Sequence, residues 1–188
     1  MDNPCIWRFT MQGEIEAVRL EICRLKLHGG DIDELGGIID EIGFAIAHPD
    51  AEGPFGKRLR YTTALEIAME QATRTHLRIA AMLVDAGASL EKRDHWGDTP
   101  LQSAAKSNFY TLVERMLSAD ANPHTTGGGS TLETPLHDAA WRGWEGIVAL
   151  LLKADPSTTL AVDASGRTPE DSATAFRHFH VAKMIHDA

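Results

Sequence analysis

A single short phrase recurs along this chain and constrains its fold more than any other feature. Thr63-Ala64-Leu65 with Ala68, Thr99-Pro100-Leu101 with Ala104-Ala105, Thr134-Pro135-Leu136-His137 with Ala139-Ala140, and Thr168-Pro169 with Ala173 are variants of one pattern, spaced 36, 35 and 34 residues apart. Self-similarity at such a period predicts a stack of supersecondary units, each of which needs a neighbour to bury its apolar face. Threonine can cap a helix start through its side-chain oxygen, and the following proline suits the first helical position, where no amide partner is lost. The paired alanines let that first helix approach its neighbours closely. A second apolar segment follows each phrase: Leu77, Ile79, Met82 and Leu83, then Leu112, Val113, Met116 and Leu117, then Ile147, Val148, Leu151 and Leu152, then Val181, Met184 and Ile185. Gly87-Ala88 closes one such helix, with Asp120-Ala121 and Asp155-Pro156 expected in the same place in the next two.

Together, Thr-Pro-Leu-His and the Gly-Ala ending make the chain resemble the ankyrin repeat family over roughly residues 61 to 188. The resemblance implies an all-α ankyrin-repeat solenoid of about five helix-turn-helix repeats with finger loops. Residues 1–60 are expected to form a divergent N-terminal cap repeat, 61–98, 99–133 and 134–167 regular repeats, and 168–188 a C-terminal cap repeat. In 1–60, Ile15, Val18, Ile22 and Leu25 fall at helical spacing, and Leu35, Ile38, Ile39, Ile42 and Ile46 mark a second helix. His137 is expected to bond the threonine of its own turn, with Glu66, Gln102 and Glu170 in its place elsewhere and looser turns there. Departures from a 33-residue unit place three extra residues between helices near Ala72 to His76, two in the finger His124–Glu133, and one around Ser157 to Val162. The triple glycine of that finger reads as a flexible turn, because a phosphate loop would require a following helix with Lys and Ser or Thr.

Composition narrows the function. The 188 residues, 43% hydrophobic, fit one domain with a continuous stacked core. Two cysteines, Cys5 and Cys23, make neither a disulfide framework nor a zinc site. No apolar run approaches a membrane span, and the N-terminal residues lack a secretory pattern, so a cytoplasmic protein is expected. The net charge of −9 is concentrated early: residues 1–52 hold eleven acids and four bases. Asp31, Asp33, Glu34, Asp40 and Glu41 read either as a solvated cap face or as a docking surface for a partner with a basic surface. The sign of this field argues against nucleic acid. His178 and His180 would point about 200° apart on a helix, so no metal set is expected. Neither a nucleophile elbow nor motif-spaced carboxylates appear. The chain is therefore expected to be a non-enzyme without cofactor, monomeric when free.

What remains is binding of another protein. The resemblance implies contacts through finger tips and the exposed, concave side of the first helices. On the fingers these positions fall at Arg60, His95, Trp96, Asp98, Glu133 and Arg167; on the first helices they fall at Glu70, Lys106, Trp141, Arg142 and Phe176. Trp96, Trp141 and Arg142 are expected to share one strip, since Trp and Arg dominate interface hot spots. The alternative places Trp141 against Trp144 and Trp96 over a neighbouring finger. Two functions stay open: an adaptor or scaffold, and a dedicated inhibitor or immunity-type protein that occludes a partner enzyme or toxin.

Overall fold

The recurring threonine does what its position demands: it ends an extended stretch and opens a helix. The computed structural model of the chain describes residues 18–20, 22, 24, 63–94 and 96–188, with backbone alone at Ile67 and Gln71. It divides into two compact units, Met1–Ser89 and Leu90–Ala188. All described secondary structure is helical.

In the first unit, α1 (Ala64–Gln71) follows Thr63, whose hydroxyl accepts from the Glu66 amide while the Glu66 carboxylate accepts from the Thr63 amide at 2.7 Å. This reciprocal arrangement satisfies two amides that a helix start otherwise leaves open. After Ala72 and Thr73 the chain re-enters a helix, α2 (Arg74–Ala86), which packs back on α1. Ala64, Leu65, Ala68, Ile79, Ala80 and Leu83 are buried between them. The expected insertion near Ala72 to His76 does not widen the turn. It lengthens the second helix, since α2 has 13 residues against 9, 10 and 8 in its three counterparts. Val18, Arg19, Leu20, Ile22 and Arg24 are helical, with Val18 and Ile22 buried and Leu20 exposed, as a four-residue apolar step predicts. The remainder of the expected first repeat, including the acidic stretch 31–41, lies outside the described residues.

The second unit holds three helix pairs: α3 (Pro100–Lys106) with α4 (Tyr110–Ser118), α5 (Pro135–Arg142) with α6 (Glu145–Ala154), and α7 (Pro169–Ala175) with α8 (Phe179–His186). First helices pack in the row α3, α5, α7 and second helices in the row α4, α6, α8. Leu101, Ala104, Ala105, Met116, Leu136, Ala139, Ala140, Ile147 and Leu151 fill the interior. Leu117 and Leu152 are only half-buried; Met116 and Leu151 are the deep members of their helices. The helix-closing expectation holds for Asp120, which takes the left-handed conformation of Gly87, but not for Asp155. Asp155 is extended and instead caps a 3₁₀ helix, Pro156–Leu160, in the stretch where one extra residue was expected.

The turns are not loose where histidine is replaced. Gln102 closes the same reciprocal cap with Thr99, and in the last repeat the partner of Thr168 is Asp171, not Glu170. Glu170 reaches His186 instead, at 3.4 Å.

The triple glycine corrects a further expectation. Gly127 and Gly128 lie against the preceding finger, and a Cβ on Gly97 would meet the Gly128 Cα at 2.5 Å. Arg93 joins the two fingers by donating to the carbonyls of Gly97 and Thr126, each at 2.6 Å. These glycines permit backbone to touch backbone, and the turn is packed. Among the described residues, each turn within a helix pair carries one left-handed residue, at Ala72, Asn108, Gly143 and Arg177. Glycine stands in only one of the four places.

Two substitutions of opposite sign check this account by thermal or urea unfolding. Gly128→Ala has backbone, not a flexible side chain, in its way and is expected to cost about 1–3 kcal/mol. Arg177→Gly relieves a left-handed non-glycine and should stabilise by up to about 1 kcal/mol.

Candidate partner-binding strip

The finger before α3 is built by Asp94, whose Oδ1 accepts from the amides of Trp96 at 2.8 Å and Asp98 at 2.9 Å, while Oδ2 accepts from the Ser103 hydroxyl. Asp163 repeats this bracket before α7, accepting from the amides of Ser165 and Arg167 and from the Arg167 guanidinium. Gly97 and Gly166 supply the positive φ each bracket needs. In the middle finger Leu132 takes that place, with φ 51°. The pattern Asp-x-x-Gly-x-Thr-Pro was present in the sequence as a structural signal beside the helix phrase.

The brackets set Asp98 at the start of a line of side chains that crosses all three first helices of the second unit. Asp98 is ion-paired with Lys106, the last residue of α3. Lys106 Nζ also lies 3.7 Å from Asp138 Oδ2 on α5. One turn further along α5, Arg142 donates to Asp138 Oδ1 at 3.1 Å and to its carbonyl at 3.3 Å. The Arg142 guanidinium carbon sits 4.4 Å from the Trp141 ring centroid. Trp141 meets Phe176, at the end of α7, edge to face, with centroids 5.1 Å apart and planes at 77°. Trp141 and Phe176 remain 39% and 48% exposed, so their mutual contact leaves apolar surface in water.

Asp98, Lys106, Trp141, Arg142 and Phe176, named from sequence for separate repeats, are thus joined. Trp141 pairs with Phe176 and not with Trp144. Trp96, on the same finger as Asp98, keeps 65% of its surface exposed. Glu133 receives a bond from Thr131 and lends its carbonyl to Gln102, and Arg167 is held in a two-point pair by Asp163. Their side chains serve their own fingers, and their carbonyls receive Gln102 and His137 of the preceding helices. Glu70 is exposed on α1 in the first unit. Arg60 and His95 lie outside the described residues. The histidines of the last repeat have structural partners: His180 with Glu145 at 3.1 Å, and the His178 ring against Gly143.

Sequence reasoning missed Asp138, because a carboxylate beside the repeat histidine reads as one more helix-surface charge. It is only 4% exposed, and its Oδ2 has no hydrogen-bond donor. Burial pushes its pKa up to about 6, against the opposing pull of Lys106 and Arg142, with Glu133 and Asp98 adding to the rise. Its neighbour His137 moves the other way: burial lowers its pKa, and the neutral ring spans two repeats. The Thr134 amide donates to Nδ1, so Nε2 carries the proton and donates to the Arg167 carbonyl at 3.0 Å. At the far edge, Asp155 is drawn down to about 2 by bonds from His124 and Ser157.

Tandem helix pairs of this period, joined by bracketed fingers and presenting side chains from successive first helices, define a helical repeat protein. The family descriptions "Ankyrin repeats (many copies)" and "Ankyrin repeat" match residues 65–117 and 131–160. Rat cyclin-dependent kinase 4 inhibitor B is 30% identical over 117 residues, 62% of this chain and 88% of that protein. Mouse NF-kappa-B inhibitor delta is 32% identical over 112 residues, 59% of this chain and 34% of the relative, so the chain spans about a third of that protein's length. A Caenorhabditis elegans homologue of transient receptor potential cation channel subfamily A member 1 is 26% identical over 182 residues, 92% of this chain and 14% of that protein. The chain belongs to the ankyrin repeat family, and its fold is the all-α repeat architecture of that family. Among the described residues no helix is long and apolar enough to cross a membrane.

The pKa of Asp138 gives a pH prediction with a definite sign. The folded state binds this proton more tightly than an unfolded aspartate, so the group's contribution to stability is greatest below about 4 and is lost as pH rises through about 6. His137 has the opposite slope, with stability lost as pH falls below the ordinary histidine range. The difference between wild type and Asp138→Asn isolates the carboxyl. In unfolding titrations at pH 4.5 and 7.5, wild type should lose stability relative to the variant at the higher pH, and parallel profiles would refute the assignment.

Proposed function

We propose that this chain is a protein-protein interaction module whose contact surface is the strip Asp98, Lys106, Asp138, Arg142, Trp141 and Phe176, flanked by Trp96 on the finger. The supporting observation is the exposed Trp141–Phe176 pair beside the cation of Arg142, which bridges α5 and α7 and continues through Asp138 to Lys106 on α3. Two aromatic side chains that already contact each other lose little conformational freedom when a partner covers them, while the desolvated rings supply the area of an anchor. Residues 1–52, with eleven acids against four bases, extend the proposal: a basic patch on the partner would be steered towards them, and the bound assembly would be one chain to one partner in the cytoplasm.

Whether the module recruits or occludes is the finer question. An adaptor needs the strip for one partner and a second surface for another, whereas an inhibitor needs only the strip. The rat and mouse relatives are both named as inhibitors of other proteins, which favours occlusion as the second reading. Capture of the tagged chain followed by mass spectrometry identifies the partner, and assay of that partner's own activity with and without the chain separates the two.

The test of the surface is Trp141→Ala against the identified partner. Loss of the edge contact and the cation–π contact should lower stability by about 1–2 kcal/mol. Affinity per folded molecule should fall by about thirty-fold, the effect of a hot-spot loss of about 2 kcal/mol. Lost stability with unchanged affinity would remove Trp141 from the contact surface.

A further inference from the structure

The centre of the strip holds a charge in an unusual setting. Asp138 is enclosed by α3, α5 and the approach to α5, and its two oxygens are treated differently. Oδ1 receives Arg142 at 3.1 Å. Oδ2 is buried with no hydrogen-bond donor, because Lys106 stands 3.7 Å away and is bonded to Asp98. An ionised oxygen without a donor in a buried position is a costly arrangement, and a proton taken from solvent is the simplest way to relieve it.

We propose that Asp138 is a proton-operated latch on the strip: ionised, it ties Arg142 down along α5, and protonated on Oδ2 it loosens the Arg142 guanidinium for an acidic group on a partner. Protonation turns a charge-assisted bond into a weaker hydrogen bond to a neutral carboxyl. Lys106 stays with Asp98, so Arg142 is the cation left without a counter-charge. The four charged groups Asp98, Lys106, Asp138 and Arg142 sum to zero when Asp138 is ionised and to one positive charge when it is protonated. Burial, the largest influence on this carboxyl, places its titration near pH 6.

The surroundings of Asp138 contain the groups that set this titration. Lys106 comes from α3, Asp98 from the finger, Glu133 from the approach to α5, and Arg142 from α5 itself. His137 beside it is neutral and bonded at both ring nitrogens. On the helices packed against α5, Glu145 of α6 pairs with His180, while Glu170 and Asp171 of α7 pair with His186 and Thr168. None of these six elements supplies a donor to Oδ2.

The consequence for partner binding rests on the strip being the contact surface proposed above, but the latch itself can be tested in the free chain. The probes are the Trp141 indole N–H and Arg142 side-chain N–H resonances, followed by nuclear magnetic resonance from pH 4.5 to 8 in the full chain. Both should titrate together with a midpoint near pH 6. In Asp138→Asn the titration should vanish, with the Arg142 signal fixed near its low-pH position. Lys106→Gln should raise the midpoint and Asp98→Asn should lower it, and these two variants decide the matter if Asp138→Asn fails to fold. A titration that persists in Asp138→Asn, or a midpoint that neither neighbour moves, overturns the latch. If the latch titrates as stated but the Trp141→Ala variant binds the partner normally, the contact surface is wrong and the latch stands.

Discussion

The side chain three residues after the repeat threonine closes the helix start in all four described repeats, and where it is Gln102 or His137 it also holds the second unit together, because it faces both ways. Towards its own turn it satisfies the open amide of the helix start. Towards the next repeat it reaches a finger carbonyl, as Gln102 does with Glu133 at 2.9 Å and His137 with Arg167 at 3.0 Å. These bonds lie in buried or part-buried places, where an unmade partner would cost more than the bond itself contributes. The helix cap and the repeat-to-repeat spacing are therefore fixed by the same atoms. Apolar burial supplies most of the driving force between repeats, but it is non-directional. The polar stitch gives it a register.

That register is what lets separate side chains become a strip. Asp98 is positioned by the Asp94 bracket, Lys106 by the end of α3, and Arg142 and Asp138 by one turn of α5. None of these placements is unusual alone. Their conjunction puts two acids and two bases in alternation over successive repeats, with aromatic side chains following. Charge pairing and burial oppose each other at Asp138, and burial wins because one oxygen has no donor.

Much of the fold was legible in the sequence because a repeat states its rule several times over. Thr-Pro starts, apolar second segments and the family resemblance all survive in the structure. What failed to show were features that depend on contacts between copies. Gly127 and Gly128 look like flexible residues until Gly97 is found against them, and the length of α2 cannot be separated from a longer turn by counting residues. In the last repeat the substitute for His137 is Asp171 and not Glu170, and the constant step of three residues from the threonine, as at Glu66, Gln102 and His137, already selects it. Of the candidate site, exposed aromatic and charged residues were readable, whereas Asp138 was hidden by looking ordinary.

The finger pair formed by Gly97 and Gly128 has a consequence for how such a chain can be recombined. Repeat units are commonly thought of as interchangeable parts, cut at the finger and rejoined. Here the middle finger lacks an aspartate bracket of its own, and Arg93, Gly97 and the glycines from Gly127 onward determine its path together. A unit moved without the finger before it would leave its conformational instructions behind. The inheritable module in this region is a pair of neighbouring fingers, out of phase with the helix pairs between them.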